Sequence, residues 1–157
     1  MSDPVRNPRG SLELRTLAMP ADTNPSGDIF GGWIMSQMDL GGAILAKELS
    51  RGRVVTVAVE AMTFHKPVAV GDVVCCYGSC IHVGKTSLKI KLEVWVKKVA
   101  SEPIGERYCV TEGVFAYVAV DKDGKPRQVP REQNPALQEV LAGGMPAGDF
   151  CSVKAGV

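Results

Sequence analysis

A chain of 157 residues suits one domain with a sizeable apolar core and is too short for two full cores. Its charge is nearly balanced, 18 Lys and Arg against 17 Asp and Glu, which excludes a basic footprint for nucleic acid or an anionic membrane surface and favours a small or neutral partner. The opening MSDPVRNPRG lacks the apolar core of a leader, and no uncharged apolar run reaches the roughly 18 residues of a membrane span, so a soluble, cytoplasmic protein without membrane insertion is expected.

Residues 12–18 alternate apolar and polar side chains, a short strand that ends before Pro20. The ten residues MPADTNPSGD then hold two prolines, a glycine and several short polar side chains, which predicts a loop. From 31 to 50, GGWIMSQMDLGGAILAKELS spreads apolar residues around nearly every direction of a helix, so this helix is expected to be buried on most sides. Gly41 and Gly42 inside it cost roughly 1 kcal/mol each relative to alanine, and close approach of another backbone is the expected compensation.

Four further strands are predicted over 53–64, 73–83, 86–98 and 106–120. In the third of these Leu88, Ile90, Leu92, Val94 and Val96 alternate with Lys89, Lys91, Glu93, Trp95 and Lys97. One face should be buried, and the other solvated or set against a partner subunit. Gly84 and Lys85 sit where a hairpin would join the second and third of the four, and Asp123-Gly124 marks a turn after the last. The fold class is therefore α+β: a mainly antiparallel five-stranded sheet wrapped around one long central helix. Asn134 caps and Pro135 opens a short helix ending near Leu141, and beyond Gly143 a disordered or loosely docked tail is expected. The chain thus divides into a tail over 1–11, one domain over 12–130, and a short helix with a flexible tail over 131–157.

Asp39 is the one ionisable residue between Asp28 and Lys47, flanked by Met38 and Leu40. A carboxylate on a buried helix costs desolvation energy unless it is compensated, which marks it as a functional candidate; the alternative is an acid on a narrow solvent-facing strip. Gly32 lies seven residues earlier, about two turns and roughly 10 Å along the same face. The free N–H groups at the helix start suit stabilisation of an oxyanion, with glycine admitting a carbonyl closely; alternatively Gly31 and Gly32 only make the turn into the helix.

Other patterns lead nowhere. Gly84-Lys85-Thr86-Ser87 imitates the end of a phosphate-binding P-loop, but the residues upstream do not complete it and strands follow. His65 and His82 are the only histidines, and Ser36 has none at a recognisable spacing, so a Ser-His-Asp hydrolase has little support. The five cysteines, Cys75, Cys76, Cys80, Cys109 and Cys151, are odd in number and lack paired-ligand spacing. They read as small buried hydrophobes, and no metal is required.

The stretches LRTLAMPADTNPSGDIFGGWIMSQMDLGGAILA, RVVTVAVEAMTFHKPVAVGDVV, VGKTSLKIKLEVWVKK and SEPIGERYCVTEGVFAYVAVD together resemble YciA-type acyl-CoA thioesterases, enzymes of hot-dog fold related to the brain acyl-CoA hydrolases. The likeness runs in order over about residues 12–130. It implies a helix aspartate, here Asp39 in SQMDLGG, as general base or nucleophile, with Asn24 of the preceding loop as its catalytic companion. In hot-dog dimers these two come from opposite subunits. Gly32 matches the oxyanion position through its N–H, and Thr56 lies on the strand facing the site, with a positioning role.

The same resemblance places CoA phosphates near basic residues, for which Lys66, Lys85 and Arg107 are candidates, with Thr86 and Ser87 as hydroxyl donors; each lysine also reads as an ordinary solvated side chain. The implied reaction is thioester hydrolysis with no cofactor beyond the CoA of substrate and product. The implied assembly is at least a homodimer, and by family a hexamer built as a trimer of dimers. Two competing readings are a noncatalytic acyl-CoA-binding hot-dog module, which needs no carboxylate at 39, and a hydratase or dehydratase, which needs a histidine near the helix.

Overall fold

Alternating strands joined by short links must pair with their neighbours, and in the computed structural model, which describes residues 6–143, they form one antiparallel sheet. Strands β1 (Ser11–Leu17), β2 (Val54–Phe64), β3 (Val73–Val83), β4 (Ser87–Lys97) and β5 (Arg107–Ala119) lie in the order β1-β3-β4-β5-β2. Helix α1 (Gly31–Ser50) crosses one face of the sheet, and the shorter α2 (Pro135–Gly143) docks against its end. The strands and α1 fall within one residue of their expected limits. The tail expected beyond Gly143 lies outside the described residues.

The core forms between α1 and the inner faces of the central strands. Ile34, Met38, Ala46 and Leu49 of the helix bury against Leu88, Ile90, Leu92 and Val94 of β4 and Phe115 and Tyr117 of β5. Gly41 and Gly42 make this approach close, but what approaches them is side chains of the sheet rather than the backbone expected. A methyl on Gly41 would lie 2.9 Å from Cys76 Sγ, and one on Gly42 only 2.3 Å from the Tyr117 hydroxyl. Asn134 caps α2 as expected: its Oδ1 accepts the Leu137 N–H at 3.3 Å, while Nδ2 donates to the Leu49 carbonyl at 2.7 Å.

Two expectations need correction. First, α1 is buried within this chain only on the side that packs on the sheet: Leu40 and Ile44 remain 51% and 40% exposed, and Phe30 just before the helix 49%. Second, the outer face of β4 is not left to solvent. Lys91, Glu93 and Trp95 are buried there, because the segment before β1 runs across them. Arg6 pairs with Glu93 at 3.0 Å and lies 5.2 Å over the Trp95 ring, and the Arg9 N–H reaches the same carboxylate at 3.4 Å.

β2 is an edge strand, paired only with β5, and it carries exposed Val57, Val59 and Phe64. Its register shifts twice along β5, and Ala61, with φ of 49°, sits inside the second irregularity.

Candidate active site

The loop entering α1 is a built structure rather than a slack connection. Asn24 folds its side chain back on the loop, its Oδ1 accepting the N–H groups of Ser26 at 2.9 Å and Asp28 at 3.0 Å. Its own N–H donates to the Asp28 carbonyl at 2.7 Å. The carboxamide oxygen is thus committed to the backbone, and the NH2 end is the group left to meet a substrate.

No side chain caps α1 at Phe30. The Phe30 carbonyl accepts from Trp33 N at 3.1 Å and Ile34 N at 3.3 Å, so the N–H groups of Gly31 and Gly32 have no backbone partner among the described residues. Neither glycine has a positive φ, so the turn itself does not demand them. A methyl on Gly31 would touch the Phe64 ring at 3.4 Å, whereas one on Gly32 would meet nothing within 4 Å. The open space beside Gly32, together with its free N–H and the positive end of the helix dipole, is suited to a carbonyl oxygen.

Two turns on, Asp39 is half-buried rather than enclosed. Thr56 Oγ1 donates to its Oδ1 at 2.6 Å. The Tyr117 hydroxyl lies 3.2 Å from the same Oδ1 and 3.0 Å from the Asp39 main-chain carbonyl, sharing its single proton between them. Burial, with the Asp39 carboxylate beside it, pushes the Tyr117 phenol well above the usual tyrosine range, so it stays a donor.

The sequence reading missed Tyr117. Its signal was present: in GVFAYVAV it alternates onto the same face as Phe115, and a tyrosine on a core face needs a partner for its hydroxyl. What was not legible is that the register sets Tyr117 opposite Thr56 on one side and Leu88 on the other, beneath the Gly42 gap in the helix.

Gly32 and Asp39 lie on one continuous helix, their main-chain atoms about 10 Å apart, and Gly32 stands at the loop–helix junction that follows the Asn24 turn.

The basic candidates fall into two groups. Lys66 lies 4.9 Å over the Tyr108 ring, and Arg107 donates to the Tyr77 hydroxyl at 3.2 Å; both stand where β5 begins. Lys85 and Thr86 lie in the β3–β4 turn and Ser87 opens β4, opposite Val118 near the end of β5. That end of the sheet is also where Thr56 and Tyr117 hold Asp39. At about 3.4 Å per residue the two groups are separated by roughly 35 Å within one chain.

His65 is turned away from Asp39, to a buried contact with Glu112 at 3.4 Å. No cluster of three or more His, Cys, Asp or Glu side chains that could hold a metal occurs among the described residues, and no helix among them is long and apolar enough to cross a membrane.

Comparison with known proteins places this arrangement. The sequence model of the thioesterase superfamily matches residues 26–102, from the loop just after Asn24, through α1, to just beyond β4. The acyl-CoA thioester hydrolase YciA of Escherichia coli is 70% identical over 132 residues, covering 84% of this chain and 100% of that protein. Among solved structures, a hexameric broad specificity acyl-coenzyme A thioesterase shares 71% identity at a TM-score of 0.84, covering 87% of this chain and 93% of that one. The hexameric thioesterase of Yersinia pestis shares 70% identity at a TM-score of 0.77, covering 80% of this chain and 100% of that one. With this identity carried along nearly the full length of its relatives, and with the antiparallel sheet and long helix that they share, the chain belongs to the YciA-type hot-dog family of the thioesterase superfamily.

Proposed function

We propose that this protein is an acyl-CoA thioesterase, hydrolysing the thioester of acyl-CoA to a free acid and CoA. The observation that carries the reading is the Asp39 carboxylate, anchored by the Thr56 and Tyr117 hydroxyls on the open face of α1. The 70% identity to a protein named for that activity supports it independently.

In the proposed mechanism the thioester oxygen accepts the Gly32 N–H, which polarises the carbonyl carbon. Asp39 either takes a proton from the attacking water or attacks the carbon itself. The tetrahedral intermediate then expels sulfur with its bonding electrons, and the CoA thiolate takes up a proton. The Asn24 NH2 orients the water or the thioester, and Thr56 fixes the carboxylate. No cofactor enters beyond the CoA of the substrate, and the cytoplasm, where acyl-CoA is met, is the proposed location.

The complete site combines Asn24 of one subunit with Asp39 of another, and the Gly32 N–H at the start of α1 supplies the oxyanion donor. The unpaired edge of β2, with Val57, Val59 and Phe64 exposed, and the exposed apolar side chains of Leu40 and Ile44 on α1 and of Phe30 just before it supply a surface for that pairing. A hexamer built as a trimer of dimers, like the hexameric relatives, completes the proposal. The CoA phosphates meet Lys85, Thr86 and Ser87 or Lys66 and Arg107, two groups that one bound nucleotide reaches together only when different subunits contribute them.

A thiol-release assay across acyl-CoA chain lengths, with Asp39→Asn beside the wild type, tests activity, residue and substrate class together. The wild type should release CoA, and the nearly isosteric variant should lose at least 1,000-fold in turnover, an order-of-magnitude expectation, while keeping its oligomeric state. Undiminished turnover by the variant would remove Asp39 from the mechanism.

A further inference from the structure

We infer that Tyr117 is a positioning residue that commits Oδ1 of Asp39 to the protein and so leaves Oδ2 as the oxygen that performs the chemistry. The inference rests on the hydrolase reading above and goes beyond it by naming the reacting atom and the residue that selects it.

The two carboxylate oxygens are not equivalent. Thr56 Oγ1 at 2.6 Å and the Tyr117 hydroxyl at 3.2 Å both converge on Oδ1. Oδ2 accepts no hydrogen bond among the described residues. An oxygen that already accepts two donors has its negative charge partly neutralised, so the lone pairs of Oδ2 are the ones available to a proton or a carbonyl carbon.

Tyr117 does more than duplicate Thr56. Its hydroxyl also lies 3.0 Å from the main-chain carbonyl of Asp39, so a single group ties the carboxylate to the backbone that carries it and restricts both side-chain torsions. The phenol can do this because it is itself immobile. Tyr117 is 0% exposed, its ring stacks on Phe115 with centroids 6.5 Å apart, and its strand is paired on both sides. The space its hydroxyl occupies exists because residue 42 lacks a side chain.

With Oδ2 as the reacting atom the step balances in either form. As a base, Oδ2 takes a water proton while the water oxygen bonds to the thioester carbon; the C–S bond then breaks with its electron pair on sulfur, and the Asp39 acid returns the proton to the CoA thiolate. As a nucleophile, Oδ2 bonds to the carbon and the same C–S bond breaks with its electron pair on sulfur; water then cleaves the resulting anhydride, its oxygen bonding to the acyl carbon with one hydrogen kept in the free acid and the other proton passing to the CoA thiolate, which restores the Asp39 carboxylate. A swinging carboxylate would serve either route less often.

The test compares Tyr117→Phe, Thr56→Val and the double variant with the wild type in the thiol-release assay, using the assembled protein, with Asp39→Asn as the reference for a dead site. Tyr117→Phe should lower kcat about 10- to 100-fold and leave KM within about twofold, since an interaction with the reacting group rather than with bound substrate is lost. The double variant should lose less than the product of the single losses, because both hydroxyls act through one oxygen. A kcat within about twofold of wild type while Asp39→Asn is dead overturns the inference and leaves the hydrolase reading standing, as do single losses that simply multiply. A wild-type protein that releases no thiol from any acyl-CoA defeats both. Should Tyr117→Phe fail to fold, Gly42→Ala decides, since its methyl would stand 2.3 Å from the hydroxyl and 3.0 Å from the ring carbon Cζ and so push the whole phenol side chain away from Asp39. The same selective fall in kcat is expected, and an unchanged kcat overturns the inference.

Discussion

Thr56 and Tyr117 stand directly opposite each other across the β2–β5 pairing, and both hydroxyls end on the same carboxylate oxygen of Asp39. One comes from a strand at the edge of the sheet, the other from a strand paired on both sides. The carboxylate on α1 is therefore aimed by the sheet rather than by its own helix, and its direction depends on how β2 keeps its register.

Replacing Thr56 separates that aim from the fold. Thr56→Val keeps the branched shape and removes the donor at 2.6 Å, and kcat should fall roughly 10-fold or more with little change in KM. Thr56→Ser, which restores a hydroxyl, should recover most of the loss. The check is steady-state thiol release beside a thermal melt; equal kcat for Val and Ser would show that the hydroxyl does not matter.

Cys76 and Cys80 give the fold an alkaline weakness. Burial pushes the Cys76 thiol up to about 12, with Glu13 and Cys75 adding to it, and the Cys80 thiol up to about 11. A thiol that resists ionisation in the fold stabilises fully below its unfolded value of 9.0 and loses that contribution as pH climbs through the folded value. Between pH 8 and pH 10.5 Cys76 alone should cost about 2 kcal/mol of stability. Urea midpoints at the two pH values measure this, and Cys76→Ala should flatten the difference. At pH 8 both thiols should react with a disulfide reagent only after denaturation.

Arg6 should matter more than a terminal residue ordinarily does. It pairs with a Glu93 carboxylate that is 1% exposed, and Arg6→Ala would leave that charge buried with weaker compensation. A loss of about 2 kcal/mol is expected, below the full value for a wholly buried pair because Arg6 itself is partly exposed. Adding Glu93→Gln should return most of it. Urea denaturation followed by tryptophan emission reads both the stability and the removal of the cation from the Trp95 ring; an unmoved midpoint in Arg6→Ala would contradict the expectation.

Local signals made most of the fold legible. Period-two alternation located the strands, Gly41 and Gly42 announced the close helix–sheet contact, and Asn134-Pro135 marked the start of α2. The failures were all long-range. Nothing near Trp95 says that Arg6 will cover it, because that contact spans most of the chain. The apolar periphery of α1 read as burial on most sides, and Leu40 and Ile44 are where the chain leaves it exposed. At the site, Asp39 stood out as a lone carboxylate in apolar sequence, whereas Tyr117 looked like one more strand residue until the register set it beside Thr56.

Gly42 ties two properties together that are usually adjusted separately. Glycine-to-alanine changes within helices are a common route to a more heat-resistant protein, since they stiffen the unfolded chain less expensively than any core redesign. Here that route is closed, because the missing methyl is the space in which the phenol reaches the helix. Any hardening of α1 at this position would be felt first as a misdirected carboxylate, so heat resistance in this chain has to be sought away from residue 42.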